Sequence, residues 1–159
     1  MGDQDAKEKF YDGLQELMDT IPKHDITLIL GGFKAKVGRN NEHRENIMGK
    51  ESVGDANENG ERLINFCGEN GMVIGGTLFQ HKKIHKMTWK SPDGRTENQI
   101  DHILINNKWR NSLQDVRVKR GADIGSDHYL LVGKIKLKLR KARIGQIRKL
   151  HFDTQKLKK

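Results

Sequence analysis

Three short polar clusters lie at the ends of predicted strands, and they are the parts of the sequence best suited to chemistry. Residues 31–34 (GGFK) follow the apolar run 26–30, residues 99–102 (QIDH) begin a strand, and residues 126–128 (SDH) precede the last strand. α/β proteins build their sites where strand ends meet at one edge of a sheet. The pair Asp127-His128 offers a carboxylate for a metal ion and an imidazole for a phosphate. Asp101 could hold that imidazole in one orientation.

Each of these signals is weak when it is taken alone, because an Asp-His dipeptide is common. His81 and His85 lie four residues apart and could share a metal ion on a helix. Three lysines around them favour a basic loop instead. Cys67 is the only cysteine, so an internal disulfide is excluded and a reducing intracellular location, nuclear or cytoplasmic, is expected. We predict that Cys67 is a small buried residue on a helix.

Two helices are predicted among the elements that position the clusters. The first ends near Pro22 and carries apolar residues at helical spacing: Phe10, Leu14, Leu17, Met18 and Ile21. The second is capped by Asn59, ends before Gly71, and points three residues inward: Leu63, Phe66 and Cys67. The polar stretch from Gly31 to about residue 58 is predicted to be irregular.

Short strands are predicted at residues 26–30, 72–74, 100–105 and 113–118. Residues 88–89 and the strand at 100–105 flank Ser-Pro-Asp-Gly, which indicates a hairpin or near-hairpin. A last strand is predicted to have one basic face and one buried face, the buried face being formed by Leu130, Val132, Ile135, Leu137 and Leu139. Helices that alternate with strands in this way predict an α/β fold with a mixed sheet and flanking helices.

Length and charge indicate one domain followed by a basic segment. The chain has 159 residues, a net charge of +9 and no apolar run long enough for a transmembrane helix, so no membrane partner is expected. Residues 133–159 hold 11 Lys and Arg and one acid, whereas the rest of the chain is close to neutral. We assign residues 1–138 to the domain and residues 139–159 to a basic tail or linker. Such a tail either attracts phosphate backbones or serves only as a solvated linker.

Taken in order, the clusters resemble the endonuclease/exonuclease/phosphatase superfamily, the group that includes deoxyribonuclease I. The resemblance is closest to the endonuclease domain of RTE-type (BovB-like) non-LTR retrotransposons and to craniofacial-development-protein-like genes derived from them. It runs from Ile26 to about Lys138 through the segments ILGGFKAKVG, ENGERLINFC, VIGGTLF, MTWK, NQIDHILI, DVRVKRGADIGSDH and KIKLKLRK. It implies that residues 1–138 are the C-terminal half of a two-sheet α/β sandwich.

The resemblance also implies roles for individual residues. Asp127 matches the carboxylate near the divalent metal, which implies Mg²⁺ as a cofactor. His128 matches the imidazole that contacts the scissile phosphate, and Asp101 matches the carboxylate that orients it. Thr88 and Trp89 match positions near the DNA, although a core aromatic is the favoured interpretation of Trp89.

Two departures from the family pattern predict impaired catalysis. The family motif Gly-Asp-Phe/Trp-Asn is here Gly31-Gly32-Phe33-Lys34, so Gly32 replaces the Asp that aligns the attacking water and Lys34 replaces the Asn that contacts the phosphate. The loss of the base at position 32 costs about 10² to 10⁴ in rate. At position 34, the charge of Lys34 could still contact the phosphate. The family's main metal-binding Glu and an Asn belong to the first half of the domain, so Mg²⁺ binding by this chain is expected to be weak.

We therefore expect a truncated, degenerate, metal-dependent DNA endonuclease derived from a retrotransposon, inactive on its own. One alternative is a non-catalytic nucleic-acid-binding module that uses the tail together with Lys34, Arg117, Lys119 and Arg120. Another is a protein-interaction scaffold that uses an uncovered sheet face. A phosphatase of the same superfamily acting on lipids or inositol phosphates fits the motifs less well. DNA is the expected partner, and self-association or binding of a first-half chain is expected at the uncovered face.

Overall fold

A computed structural model describes residues 3–121 and 125–138, so the predicted tail at 139–159 lies outside the described residues. No helix within these ranges is both long enough and apolar enough to cross a membrane. The helices and strands alternate irregularly along the chain in the order α1 (Asp3–Thr20), β1 (Leu28–Gly32), α2 (Glu58–Asn70), β2 (Met72–Ile74), β3 (Trp89–Lys90), β4 (Glu97–Asn98), β5 (Asp101–Asn106), β6 (Leu113–Lys119) and β7 (Leu130–Ile135).

The principal sheet has the strand order β1-β5-β2, and β5 is antiparallel to both of its neighbours. Gly32 pairs with Asp101 at one end of this sheet. β1 and β2 therefore run parallel to each other, but β5 lies between them. Every ladder among the described strands is therefore antiparallel, and the predicted mixed sheet is not found there.

The second helix forms as predicted, except for its first residue. Its cap is Asn57, whose Oδ1 accepts a hydrogen bond from the Gly60 amide at 2.8 Å. The predicted cap, Asn59, lies inside the helix and donates to the carbonyl oxygen of Lys34 at 3.2 Å. Gly71 ends the helix with φ 63°, a left-handed conformation that glycine adopts without strain. Cys67 is fully buried on this helix, and burial raises the pKa of its thiol to about 12.

One apolar core lies between the principal sheet and the two helices. It contains Leu63, Ile64, Phe66 and Cys67 of α2 together with Leu104 of β5. From α1 only half-buried residues join this core, namely Tyr11, Leu14 and Met18. Phe10 and Leu17, which the periodicity placed on the inner face, are 44% and 37% exposed. The apolar stripe of α1 is therefore narrower than predicted.

A second core joins the opposite face of the principal sheet to the β6–β7 pair. Ile103 and Ile105 of β5 pack there with Leu113 and Val116 of β6, and with two residues of β7, Leu131 and Ile135. Because Val118 pairs with Leu131, the odd-numbered residues of β7 point inward. Leu130 is accordingly exposed, against the prediction, whereas Ile135 points inward as predicted. Leu137 lies beyond the end of β7 and is exposed, and Leu139 lies outside the described residues.

The predicted hairpin exists, but its second strand is β4 rather than β5. Trp89 pairs with Asn98 and Lys90 pairs with Glu97 around the Ser-Pro-Asp-Gly turn. A single bridge between Trp89 and His128 links this hairpin to the segment that leads into β7. The hairpin therefore stands between the start of β5 and the start of β7.

Candidate active site

His128 and Asp101 form a hydrogen-bonded pair at the edge of the principal sheet. Nδ1 of His128 lies 2.8 Å from Oδ2 of Asp101. The Asp101 side chain is 16% exposed and the His128 side chain is 40% exposed, so the pair is sheltered on the carboxylate side and open on the imidazole side. A carboxylate at Nδ1 fixes the ring orientation and directs Nε2 toward solvent or a ligand.

Asp127 lies beside this pair, with its carboxylate held by two donors. The Trp89 indole N–H donates to Oδ2 at 3.0 Å, and the Ser126 hydroxyl donates to Oδ1 at 3.4 Å. Nε2 of His128 is 3.9 Å from Oδ1. The Trp89 hydrogen bond, aided by the charge of His128, holds the pKa of Asp127 below its usual value. Asp127 is therefore an exposed carboxylate, ionised at neutral pH.

Thr88 supports the site from within the protein. Its side chain is fully buried, and its Oγ1 accepts hydrogen bonds from the amides of Ile100 at 3.0 Å and Asp101 at 3.1 Å. Its carbonyl oxygen accepts a hydrogen bond from the Tyr129 amide at 2.7 Å. No surface of this side chain is left for a nucleic acid, so a positioning role replaces the predicted contact with DNA. Trp89 is half-buried, which lies between the two interpretations of it as a residue near the DNA and as a core aromatic.

The segment 31–34 lies next to the start of β5. Gly32 faces Asp101 across the ladder, and the amide of Phe33 donates to the carbonyl oxygen of Ile100 at 3.1 Å. Lys34 is exposed and has φ 52°, in the left-handed region that asparagine tolerates better than lysine. The backbone at this position thus suits the Asn of the family motif.

His102 is a structural residue of the site that the sequence interpretation did not single out. It is fully buried, and its ring N–H at Nε2 donates to the carbonyl oxygen of Ala35 at 2.6 Å. Burial lowers the pKa of His102, so the ring stays neutral. The bond ties β5 to the loop that follows β1. The sequence did hold a signal for this burial. Successive residues of a strand point to opposite faces, so Asp101 at the site places His102 on the opposite face of the sheet.

The other histidines and basic residues with proposed roles are spread around the site. His81 contacts Asp115 of β6 at 2.5 Å, and Nδ1 of His85 lies 3.1 Å from the carbonyl oxygen of Val118. Lys119 is exposed, whereas Arg117 is partly buried. Within the described ranges, no group of three or more His, Cys, Asp or Glu side chains could hold a metal ion. Asp127 alone does not fit Mg²⁺, which prefers six oxygen ligands.

An apolar cavity of about 250 Å³ opens beside the site, on the face of the sheet next to β7. Leu28, Leu30, Ile103 and Ile135 contribute to its walls. Leu30 is 52% exposed, and no residue of β1 carries a charge. The cavity and the exposed leucines mark an incompletely covered part of the apolar face.

The chain is similar in sequence to curated relatives. The chain is 46% identical over 132 residues to craniofacial development protein 2 of Tragulus javanicus and of Bos taurus. The match covers 83% of this chain but 23% and 22% of those proteins, so the chain spans less than a quarter of their length. No protein-family model matches the chain.

Two solved structures share the fold. A 3′ phosphatase from Neisseria, bound to a product DNA hairpin, has a TM-score of 0.60 at 20% identity, over 84% of this chain and 54% of its own. The endonuclease domain of a telomere-specific non-LTR retrotransposon has a TM-score of 0.52 at 15% identity, over 83% of this chain and 52% of its own. The chain is thus a homologue of part of craniofacial development protein 2, with the α/β fold of the endonuclease/exonuclease/phosphatase proteins.

Proposed function

We propose that this chain carries the His–Asp part of a DNA phosphodiester-cleaving site and that Gly32 and Lys34 leave this site catalytically impaired. The observation that carries the proposal is the 2.8 Å pairing of His128 with Asp101, with Asp127 beside it at the same edge. The fold shared with a DNA 3′ phosphatase and a retrotransposon endonuclease domain supports the same class of chemistry.

In hydrolysis of a phosphodiester, water attacks phosphorus and the bond to the leaving oxygen breaks. Negative charge grows on the non-bridging oxygens as the transition state forms. With its Nδ1–H donated to Asp101, a protonated His128 can donate from Nε2 to one of those oxygens. Removing one positioned donor of this kind from an active enzyme costs about 10² to 10³ in rate.

The impairment follows from the side chains next to this pair. Glycine at position 32 offers no group to accept a proton from the attacking water. Asp101 is assigned instead to orienting His128, to which one of its oxygens is hydrogen-bonded. Losing a positioned base costs about 10² to 10⁴ in rate. Mg²⁺ is the proposed cofactor of the complete site, to which this chain would contribute Asp127 and a first-half chain the other ligands.

Mg²⁺-dependent nicking of supercoiled plasmid tests the proposal. Three samples are compared: the chain as given, the Gly32→Asp/Lys34→Asn variant, and that variant mixed with a first-half fragment of a related endonuclease. We expect nicking from the complemented variant and its loss when His128→Ala is added. Nicking by the chain as given, abolished by His128→Ala, would show that the site is not impaired. No nicking in any sample would count against the ancestry of the site.

A second candidate function is DNA binding without cleavage. Residues 133–159 hold 11 Lys and Arg against one acid, and Lys34 and Lys119 are exposed on the described surface. Binding of this type follows the phosphate backbone and weakens steeply as salt rises. We expect DNA affinity to fall with salt and to disappear when the tail, residues 139–159, is removed, a change that leaves β7 intact. Affinity that survives this removal would exclude the tail as the main contact.

The third candidate is a protein-interaction role for the uncovered β1 edge. Leu28 and Leu30 are 36% and 52% exposed on one face of this uncharged strand. An edge strand that exposes apolar side chains is a template for pairing with another chain. In a purified sample, we expect the β1 edge of one chain to pair with the β1 edge of a second copy.

A further inference from the structure

Arg120 connects three parts of the structure through its guanidinium group. Nη2 donates to Oε2 of Glu97 at 2.6 Å, and Nη1 donates to Oε1 at 3.4 Å. Nε donates to the carbonyl oxygen of Ile84 at 2.8 Å. The guanidinium carbon also lies 4.4 Å from the centre of the Tyr129 ring. All three guanidinium nitrogens therefore have partners inside the protein.

These contacts join residues 127–129 to the β3–β4 hairpin. Tyr129 follows the catalytic candidates directly and lies under the guanidinium. Glu97 belongs to the hairpin and pairs with Lys90, whose amide donates to the carbonyl oxygen of Asp127 at 3.0 Å. The arginine thus contacts both sides of the junction at which the hairpin meets this segment.

The geometry needs an arginine and not merely a positive charge. A planar guanidinium matches a carboxylate with two parallel hydrogen bonds and can also stack on an aromatic ring. The pKa of Glu97 is lowered, first by the hydrogen bond from Arg120. Both side chains are 28% exposed, so water screens the ion pair in part but leaves its directional bonds in place.

We propose that Arg120 is a positioning residue for the candidate active site. It holds residues 127–129 against the hairpin, which keeps Asp127 bonded to the Trp89 indole and His128 bonded to Asp101. This inference rests on the proposed function of the site. A direct contact with the DNA backbone is the competing role, and in that role a lysine would serve nearly as well.

Hydrogen exchange of the full chain, followed by NMR, tests the inference without requiring catalysis. Arg120→Lys keeps the charge but loses the planar fork, and Arg95→Lys on the exposed turn of the same hairpin is the matched control. We expect the Trp89 indole proton and the Tyr129 amide to exchange about fivefold to tenfold faster in Arg120→Lys, as a lost charge-assisted bond predicts. The amides of β5 should keep their rates, and the control should change nothing.

Two outcomes would overturn the inference. One is exchange that does not rise selectively at Trp89 and Tyr129, either because it is unchanged there or because it rises equally throughout β5 through a loss of overall stability. The other is a DNA affinity that falls in Arg120→Ala and returns in Arg120→Lys while exchange stays constant, which would assign Arg120 to the DNA contact. Because neither readout depends on nicking, failure here is distinct from failure of the proposed catalytic role.

Discussion

Gly32 faces Asp101 across the β1–β5 ladder so closely that a β-carbon at position 32 would lie 2.8 Å from Oδ1 of Asp101. The other oxygen of that carboxylate is bonded to His128. Any side chain at position 32 would therefore press against Asp101 and so disturb its hydrogen bond to His128. Gly32 does not have a left-handed backbone, so its conformation alone does not require glycine.

The first prediction concerns this contact. Gly32→Ala is expected to lower the free energy of unfolding by about 1 kcal/mol, because Asp101 must shift. Gly32→Asp should cost about 1 kcal/mol more, since it adds a like charge beside Asp101. Urea unfolding measures both changes, and millimolar Mg²⁺ should recover part of the loss in Gly32→Asp alone. Equal losses in the two variants, with no response to Mg²⁺, would contradict this account.

The second prediction follows from the backbone of Lys34. A lysine at φ 52° pays a conformational penalty that asparagine largely avoids. Lys34→Asn is therefore expected to stabilise the fold by about 0.5 to 1 kcal/mol. The denaturation midpoint checks this, with Lys36→Asn as the control at a position without positive φ. A gain in the control that matches the gain in Lys34→Asn would refute the backbone explanation.

The third prediction concerns Asp127. Trp89→Phe removes the indole donor, which is the largest cause of the lowered pKa, so the pKa of Asp127 should rise toward its usual value. Carboxyl NMR titration measures the shift, and Trp109→Phe serves as the control. Because the folded-state pKa is the lower one, any stability from this bond is present above the unfolded-state pKa and is lost as the pH falls. An unchanged titration in Trp89→Phe would show that the indole does not hold the carboxylate in solution.

The fourth prediction is acid destabilisation through His102. Burial lowers its pKa in the folded state, so below about pH 6.5 the unfolded chain binds a proton that the folded chain refuses. Stability should thus be full above this pH and fall below it, by at most about 1.4 kcal/mol per pH unit for one proton. Urea midpoints measured from about pH 7.5 to about pH 5.5 give this slope. His102→Gln should flatten it, whereas exposed His24→Gln should not, and equal slopes would reject the assignment.

The fifth prediction concerns the uncovered edge of β1. Leu30→Lys places a charge on its most exposed apolar residue and should weaken self-association of the purified chain. Sedimentation velocity over a range of concentrations measures this. Leu17→Lys on α1, at a position 37% exposed, is the control. A parent chain that stays monomeric throughout would remove the second copy as occupant of this face.

Several parts of the fold could be predicted because they depend on local chemistry. Three elements were predictable because apolar residues fill them and turn residues such as Gly71 mark their ends: β1, β2 and the body of α2. The cap of α2 was misplaced by two residues, because Asn57 and Asn59 are equally good caps in sequence. The inward face of β7 was predicted correctly at Ile135 but missed at Leu131, because it is set by the pairing of Val118 with Leu131 and not by β7 itself.

The sequence by itself determined which residues could do chemistry and which positions depart from the family pattern. It identified Asp101, Asp127 and His128 as candidates because residue types and their order are local information, and the family resemblance implied that Gly32 and Lys34 depart from the motif. Tertiary structure alone decided that Thr88 faces inward, that Arg120 is engaged within the protein, and that Gly32 touches Asp101. These relationships join segments far apart in the chain, so they exist only after the sheet and its hairpin have formed.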